Sequence, residues 1–523
     1  MVCVRTEKVN KLLGGFSGLL ASVMMTFFGA QGHNVKLAGI SLALQDGSRQ
    51  HVWMSLAAFL ADEAAIHAGL CCKGSSGLKP CVLCANIFNF NIRRDIVARD
   101  ATGVAQHHVI HDVSKLKLHT KDTIVAIVRR LEADHNTLNQ REFAELQTTL
   151  GWNYAPGSIM FNEVTRSLID PTSTTTYDWM HIIFVHGIFG ANMGQVMLKL
   201  KEQGVTYAKL HSYLQDFKWP RSISTVSGKD TCEPKRAKSC WSDGLFKATA
   251  SESLSVLPVF ANYFTDFIHG NPPPAAFAKG VAANLLQLVR IVELIIRSSR
   301  CSVAPVLLQN AIKEYLEGYV QLHGPEGMII KFHYLLHLPA FLKKHGFLPN
   351  CFVHERKHRM PKRFANHNMN ITSAWDSSVT KDVTCHHLQA LQEDDGRFDV
   401  RSSLIQAHAP SKRILNALVS QFGEGNYMVA NRARSPTYEQ FYRRDMVIYR
   451  EAGAQSLGQV TMIVSAEVNG ECILVAVVDD FAHVRNTRRG DEWRPSGMRR
   501  VCHLDAILGA VVWRNVGPDR ILT

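Results

Sequence analysis

Two cysteines, Cys81 and Cys84 in "KPCVLC", have the spacing of half a structural zinc site. A structural zinc takes four ligands, and no second C-x-x-C occurs in the 523 residues. Histidine offers the other half. "KFHYLLHLP" places His333 and His337 four apart, on one face if the segment is helical. Together the four side chains make a Cys2His2 set suited to Zn2+. The competing reading is a cysteine pair in a turn and a histidine pair on a half-buried helix. The two pairs are separated by 248 intervening residues. A shared ion would therefore staple remote parts of the chain, unlike the local ligands of a compact finger.

Two acids flank this set. Asp62 precedes Cys81 by 19 residues at the end of an apolar run, and Glu355 follows His337 by 18. If one ion joins the cysteines to the histidines, the attached acids can meet as well. Adjacent carboxylates repel unless a cation lies between them, and oxygen ligands suit Mg2+ or Mn2+. Paired divalent ions can activate a hydroxyl and stabilise the leaving oxygen in phosphodiester chemistry. Glu355 also stands among Arg356, Lys357, Arg359, Lys362 and Arg363. That makes it either a surface ion-pair partner or an acid beside a track of phosphates.

The elements that must position these residues are visible in outline. "KLAGISLALQDGSRQHVWMSLAAFLA" reads as two extended apolar runs around a turn, the second ending at Asp62. Residues 121–150 read as helical, and from about 190 to 322 the pattern is mostly helix. The basic stretch "SGKDTCEPKRAKSC" is expected to be a solvated loop, with a DNA contact as the competing reading. After about 430 the character changes to an antiparallel meander with a turn at Asn469-Gly470. Within it "RNTRRGDEWRPSGMRR" mixes arginines with Trp493; a solvated loop is expected there, with stacking on nucleic acid as the competing reading.

Composition narrows the class. Hydrophobic residues at 46% and charged residues at 20% describe a globular chain of several domains. A formal charge of +13 favours an anionic partner, with nucleic acid ahead of a membrane surface. Twelve scattered cysteines, including the adjacent Cys71-Cys72, fit metal binding in a reducing compartment better than a disulfide framework. The uncharged stretch 12–34 resembles a signal or anchor, which would make a secreted or membrane-attached protein. The favoured expectation is a buried helix, with Leu12, Phe16, Leu19, Val23 and Phe27 on one stripe and Gly14, Gly18, Ala21 and Ser22 on a small-residue face.

Three blocks in order carry a family resemblance. "FLADEAAIHAGLCCKGSSGLKPCVLC" resembles the second-aspartate block of CACTA-type DDE transposases. "YDWMHIIFVHGIFG" is similar to their aspartate-x-Met-His block, and "KFHYLLHLPAFLKKHGFLPNCFVHERKHRMPKRFAN" to the block that joins the histidine pair to the last acid. The resemblance implies an α/β protein with an RNase H-like catalytic core interrupted by a large helical insertion, and a small C-terminal β domain lies outside it. The expected boundaries are 1–185 for the first part of the core, 186–325 for the insertion, 326–425 for the rest of the core and 430–523 for the β domain. It further implies that Asp62 and Glu355 are the second and last acids of the triad, holding Mg2+ or Mn2+. Cys81, Cys84, His333 and His337 would hold structural Zn2+, and Asp178 and His181 would support the core or orient DNA. "DWMH" reads equally well as a helix-capping aspartate followed by a core methionine.

One departure stands out. The family's first acid belongs on an opening strand, and before Asp46, itself in turn chemistry, the sole acid is Glu7. The expectation is a chain without its first strands and first carboxylate: a truncated gene model, a decayed element or a DNA-binding remnant. The intact ancestor would cleave and transfer DNA strands in the nucleus, as a possible homo-oligomer with no membrane partner. The alternative is a non-catalytic DNA-binding or interaction protein on the same scaffold.

Overall fold

The computed structural model describes residues 6–29, 34–43, 47–89, 92, 106–221, 228–299, 301–351, 377–381, 383–385, 403–434, 440–451, 453–468 and 470–523. The chain is mixed α/β, with a small antiparallel sheet near its C-terminal end. It forms two units, each assembled from two separated stretches. One combines Met1–Ala191 with Arg290–Asp395, and the other Asn192–Val289 with Gly396–Thr523. The residues expected as a helical insertion are thus shared, Asn192–Val289 belonging to the second unit and the remainder at either end to the first.

In the first unit the apolar N-terminal segment forms helix α1 (Gly15–Phe28). The small-residue face turns inward, and the stripe of large residues stays outside. Ser17, Gly18, Ala21 and Met24 are buried, whereas Leu12, Phe16, Val23 and Phe27 are exposed. Close backbone approach is the reason. A Cβ on Gly14, which has φ +77°, would lie 2.6 Å from Ser158 N. Ser17 Oγ donates to Gly69 O at 2.5 Å and accepts from Ile159 N at 3.1 Å. Only small side chains fit that seam. At about 1.5 Å per residue, α1 is shorter than the ~30 Å hydrocarbon layer of a bilayer. The stretch Trp179–Gln203 is long and apolar enough to cross one, but 72% of its apolar window is buried in the protein, as in a core helix.

The expected hairpin is present as β1 (Ile40–Ala43) and β2 (Arg49–Val52), with Ile40 opposite Val52. The second apolar run does not continue as one strand. It breaks after Val52, and a separate strand β3 (Phe59–Ala61) pairs in parallel with β4 (Thr175–Tyr177). Helix α2 (Glu63–Leu70) follows β3 and helix α3 (Trp179–Ile183) follows β4. A further short parallel pair joins Ile87–Phe88 to Gln106–His107. Among the described residues, strands of this unit occur only as two-stranded pairs. The expected helices of 121–150 are Lys121–Asp134 and Gln140–Leu150, each opened by a reciprocal capping box. The unit closes with α4 (Lys331–Leu335) and α5 (Leu338–His345).

The second unit corrects two loop expectations. "SGKDTCEPKRAKSC" begins outside the described residues and then forms a short turn, Gly228–Asp230, and a helix, Pro234–Asp243. Pro234 starts that helix, where its missing N–H costs nothing. Ala237 and Cys240, three apart, turn inward while Lys235 and Lys238 stay outside. Cys232 is buried as well.

The larger sheet of this unit has eight strands, beside a three-stranded one of Ser403–Ile405, Arg432–Arg434 and Gln440–Tyr442. Strands β5 (Asn426–Ala430), β6 (Met446–Glu451), β7 (Ala454–Val468), β8 (Glu471–Thr487), β9 (Gly490–His503) and β10 (Ile507–Ala510) precede the terminal pair β11 (Arg514–Gly517) and β12 (Arg520–Leu522). Consecutive antiparallel pairings run β6–β7–β8–β9, and β7 is long enough to pair with β6 at one end and β5 at the other. Val447, Tyr449, Val460, Ile463, Ala476 and Val478 pack into one core. The arginine-rich segment is therefore a hairpin and not a loop, with β8 and β9 meeting at Thr487 and Gly490. Trp493 is buried against Met446, Leu457 and Ile521, and its Nε1 donates to Thr523 Oγ1 at 3.2 Å. Its ring faces are spent on the core, which removes the stacking reading for Trp493.

Candidate metal centre and the adjoining acidic site

Cys81, Cys84, His333 and His337 converge in the first unit. One ligand atom from each lies within 4.8 Å of the others, and all four residues are buried. Among the described residues this is the one group of three or more metal-capable side chains. The local structure explains the convergence. Cys84 bridges to Leu118, Ala85 N donates to Lys117 O at 2.7 Å and His119 N to Leu83 O at 2.8 Å, so the cysteine turn is backed by main chain. The histidines do not share one helix. Helix α4 ends at Leu335, His337 caps α5, and Pro339 lies in the first turn of α5. The four-residue spacing survives the joint, with His333 Nε2 3.2 Å from His337 Nε2.

The donor separations fit a tetrahedral zinc. Bonds of about 2.3 Å to sulfur and about 2.05 Å to nitrogen put neighbouring S and N donors about 3.6 Å apart and two N donors about 3.3 Å apart. Cys81 Sγ and Cys84 Sγ lie 3.4 and 3.6 Å from His337 Nε2. Without an ion, the electrostatics favour one thiolate of the pair. Burial pushes the Cys81 thiol up, but the Cys84 thiol and the imidazoles of His337 and His333 outweigh it and hold Cys81 well below the usual range. Its partner Cys84 is pushed up, first by the hydrogen bond to Cys81 and then by burial. Burial holds His333 below its ordinary value, so it is neutral, as a ligand must be.

Asp62 and Asp178 lie side by side next to this centre. Each follows a strand of the parallel β3–β4 pair, and Asp178 N donates to Ala61 O at 3.2 Å. Each also caps a helix. Asp62 Oδ1 accepts from Ala65 N at 2.6 Å, and Asp178 Oδ1 from Met180 N at 3.0 Å. The capping reading of "DWMH" is met, since Asp178 is a helix cap and Met180 is buried; in addition His181 Nδ1 donates to Asp178 Oδ2 at 2.5 Å. His181 Nε2 stands 4.0 Å from Asp62 Oδ2. The Asp178 side chain is fully buried and that of Asp62 is 39% exposed.

Four residues that spacing did not single out tie the two places together. Tyr177, at the end of β4, stacks on Tyr334 with ring centroids 4.3 Å apart and accepts from Val82 N at 3.4 Å. Tyr334 Oη reaches Pro80 O at 3.0 Å and Glu63 Oε1 at 3.2 Å. Burial pushes the Glu63 carboxyl up, against Lys331 and Tyr334, which pull it down. Lys331 Nζ donates to His181 O at 3.1 Å and Val185 O at 2.6 Å. Adjacency was the available signal: Tyr334 follows His333, Glu63 follows Asp62 and Tyr177 precedes Asp178. Glu355, Arg356, Lys357, Arg359, Lys362 and Arg363 lie outside the described residues, as does Asp46.

No protein-family model matches this chain, and no curated protein sequence matches it.

Proposed function

We propose that this chain is a transposase-derived, DNA-acting protein whose Cys2His2 centre holds a structural zinc and whose Asp62 marks a site for metal-assisted phosphodiester chemistry. The observation that carries the reading is the convergence of two ligand pairs separated by 248 residues beside an acid at the end of a parallel strand. A zinc there does no chemistry, because four protein ligands close its coordination sphere. Its work is to hold the support of Asp62 against α4. The family resemblance supplies the rest: an RNase H-like core, Glu355 as a second metal-holding acid, and Mg2+ or Mn2+ to activate water or a 3′-hydroxyl. The basic residues beside Glu355 would follow the phosphates, giving salt-dependent and largely sequence-independent affinity. Nuclear location follows from a DNA substrate.

The test is nicking of supercoiled DNA in Mn2+ by the zinc-loaded chain. Nicking that disappears in Asp62→Asn and Glu355→Gln supports the reading. One observation favours a second reading, a non-catalytic DNA-binding protein: Asp62 already serves its own helix as a cap. Retarded DNA with no nicking, equal in the wild type and both variants, would select it.

A further inference from the structure

We infer that His181 is a direct ligand of the divalent cation at Asp62, with Asp178 as the group that aims it. This rests on the reading of Asp62 as a metal-holding acid and adds an imidazole to its coordination sphere. The geometry has two independent parts. The first is the spacing across the gap. A cation about 2.1 Å from each of two donors spans separations from about 3.0 Å when they are adjacent to about 4.2 Å when they are opposite. Asp62 Oδ2 and His181 Nε2 are 4.0 Å apart. That is long for a hydrogen bond and inside the range for a shared ion.

The second part is the far side of the ring. A metal-bound histidine donates its other N–H to a carboxylate or carbonyl, which fixes the tautomer and raises the basicity of the ligating nitrogen. Here Nδ1 is 2.5 Å from a carboxylate whose side chain is fully buried. That bond places the ring proton on Nδ1, which leaves Nε2, 4.0 Å from Asp62 Oδ2, as the nitrogen that can ligate. The parallel strands make the arrangement stiff, because Asp178 and Asp62 follow adjacent, hydrogen-bonded strand ends. The local charge favours a cation: Asp62 and Asp178 are joined by Glu63, with Lys331 as the opposing charge. The half-exposed carboxylate leaves room for water or a phosphate oxygen as further ligands.

One imidazole and one carboxylate form a mixed nitrogen and oxygen site. That set selects Mn2+ or Co2+ over Mg2+, which prefers oxygen alone.

The probe is Mn2+ added to the full chain after zinc loading, with zinc content and circular dichroism as checks on folding. Bound Mn2+ is counted by electron paramagnetic resonance, and its ligands are read by electron spin-echo modulation. The expected result is one bound Mn2+ showing nitrogen modulation in the wild type. His181→Ala should weaken binding at least tenfold and abolish the nitrogen signal. Asp178→Asn should keep that signal but weaken binding about 10- to 100-fold, the usual scale for loss of such an outer partner. Absence of bound Mn2+, or Mn2+ with no nitrogen modulation in the wild type, would overturn the assignment without need of any variant. Unchanged affinity in His181→Ala with zinc retained would do the same. The two readings separate cleanly. Nicking lost in Asp62→Asn but intact in His181→Ala removes this inference and keeps the phosphodiester site. Nitrogen-ligated Mn2+ with no nicking keeps the site and removes the nuclease.

Discussion

The metal-centre region and the C-terminal sheet solve the same problem, a shared core, in opposite ways. In the sheet, β6, β7, β8 and β9 are consecutive, long and joined by short turns, so each strand finds its partner next to itself in sequence. In the first unit the described strands are two to four residues long and paired only in twos, and the residues that matter come from positions 62, 81, 84, 178, 181, 333 and 337. Local pairings close small loops at small entropic cost, whereas remote ones must close long loops before any contact offsets it. The sheet needs only its apolar core. The metal-centre region needs staples: the zinc ligands, the Tyr334 hydrogen bonds and the Lys331 cap.

Removing the zinc should sharpen that contrast most. Structural zinc contributes on the order of 10 kcal/mol in small zinc-folded peptides, and a sizeable part of that is expected here. Stripping with a strong chelator, or Cys81→Ser with Cys84→Ser, should expose amides around residues 59–88 and 328–345 to hydrogen exchange. Amides of 446–503 should stay protected. Equal loss in both places would mean that the sheet depends on the metal too, and the comparison would fail.

The converse perturbation is Ile463→Ala, a fully buried sheet position. It should cost about 2–5 kcal/mol, read as loss of protection in β7 and β8 with zinc content unchanged. A drop in bound zinc would show that the units do not respond separately.

Acid should act on the first unit through His67. Burial holds its imidazole down to about 4, against small opposing effects of Cys81 and Asp62. The unfolded chain, at about 6.5, takes up the proton first. The stabilising contribution is therefore present above pH 6.5 and is lost as pH falls from 6.5 toward 4. At about 1.4 kcal/mol per pH unit, the loss by pH 5 is about 2 kcal/mol. Urea midpoints of the first unit at pH 7 and pH 5 should converge in His67→Gln relative to the wild type. Parallel slopes in the two proteins would remove His67 as the cause.

The smallest expected effect is that of Tyr334→Phe. It keeps the stacking on Tyr177 and removes the hydroxyl shared by Pro80 O and Glu63. A cost of about 1 kcal/mol, with faster zinc release to a chelator, is expected. Unaltered release would show that this link does not hold the cysteine turn.

Much of this was legible where chemistry is tied to residue type. Type and spacing name Cys81, Cys84, His333 and His337 as a candidate ligand set, but in a chain with 24 histidines they do not separate it from a cysteine turn and a half-buried helix; the convergence does. Turn and alternation signals marked the β1–β2 hairpin and the antiparallel meander, because a strand's period of two is written in local sequence. The failures share one cause. At α1 the sequence marks a helix with a face small enough for close packing, but not that the stripe of Leu12, Phe16, Val23 and Phe27 stays exposed. "CEPKRAKSC" was read as solvated by its charge, yet two of its positions, Ala237 and Cys240, are enough to seat a helix. Trp493 was weighed for stacking until its partners Met446, Leu457 and Ile521 were known. Periodicity identifies a face; it does not say what the face meets.

By itself, the sequence determined which side chains can bind a metal, which segments alternate and where the chain turns, since these depend on covalent identity and neighbours a few residues away. Tertiary structure alone decided that Cys81 meets His337, that Asp62 stands beside Asp178, and that His181 faces Asp62 across 4.0 Å. Those distances arise from closing loops of a hundred residues and more, and no local propensity encodes that closure.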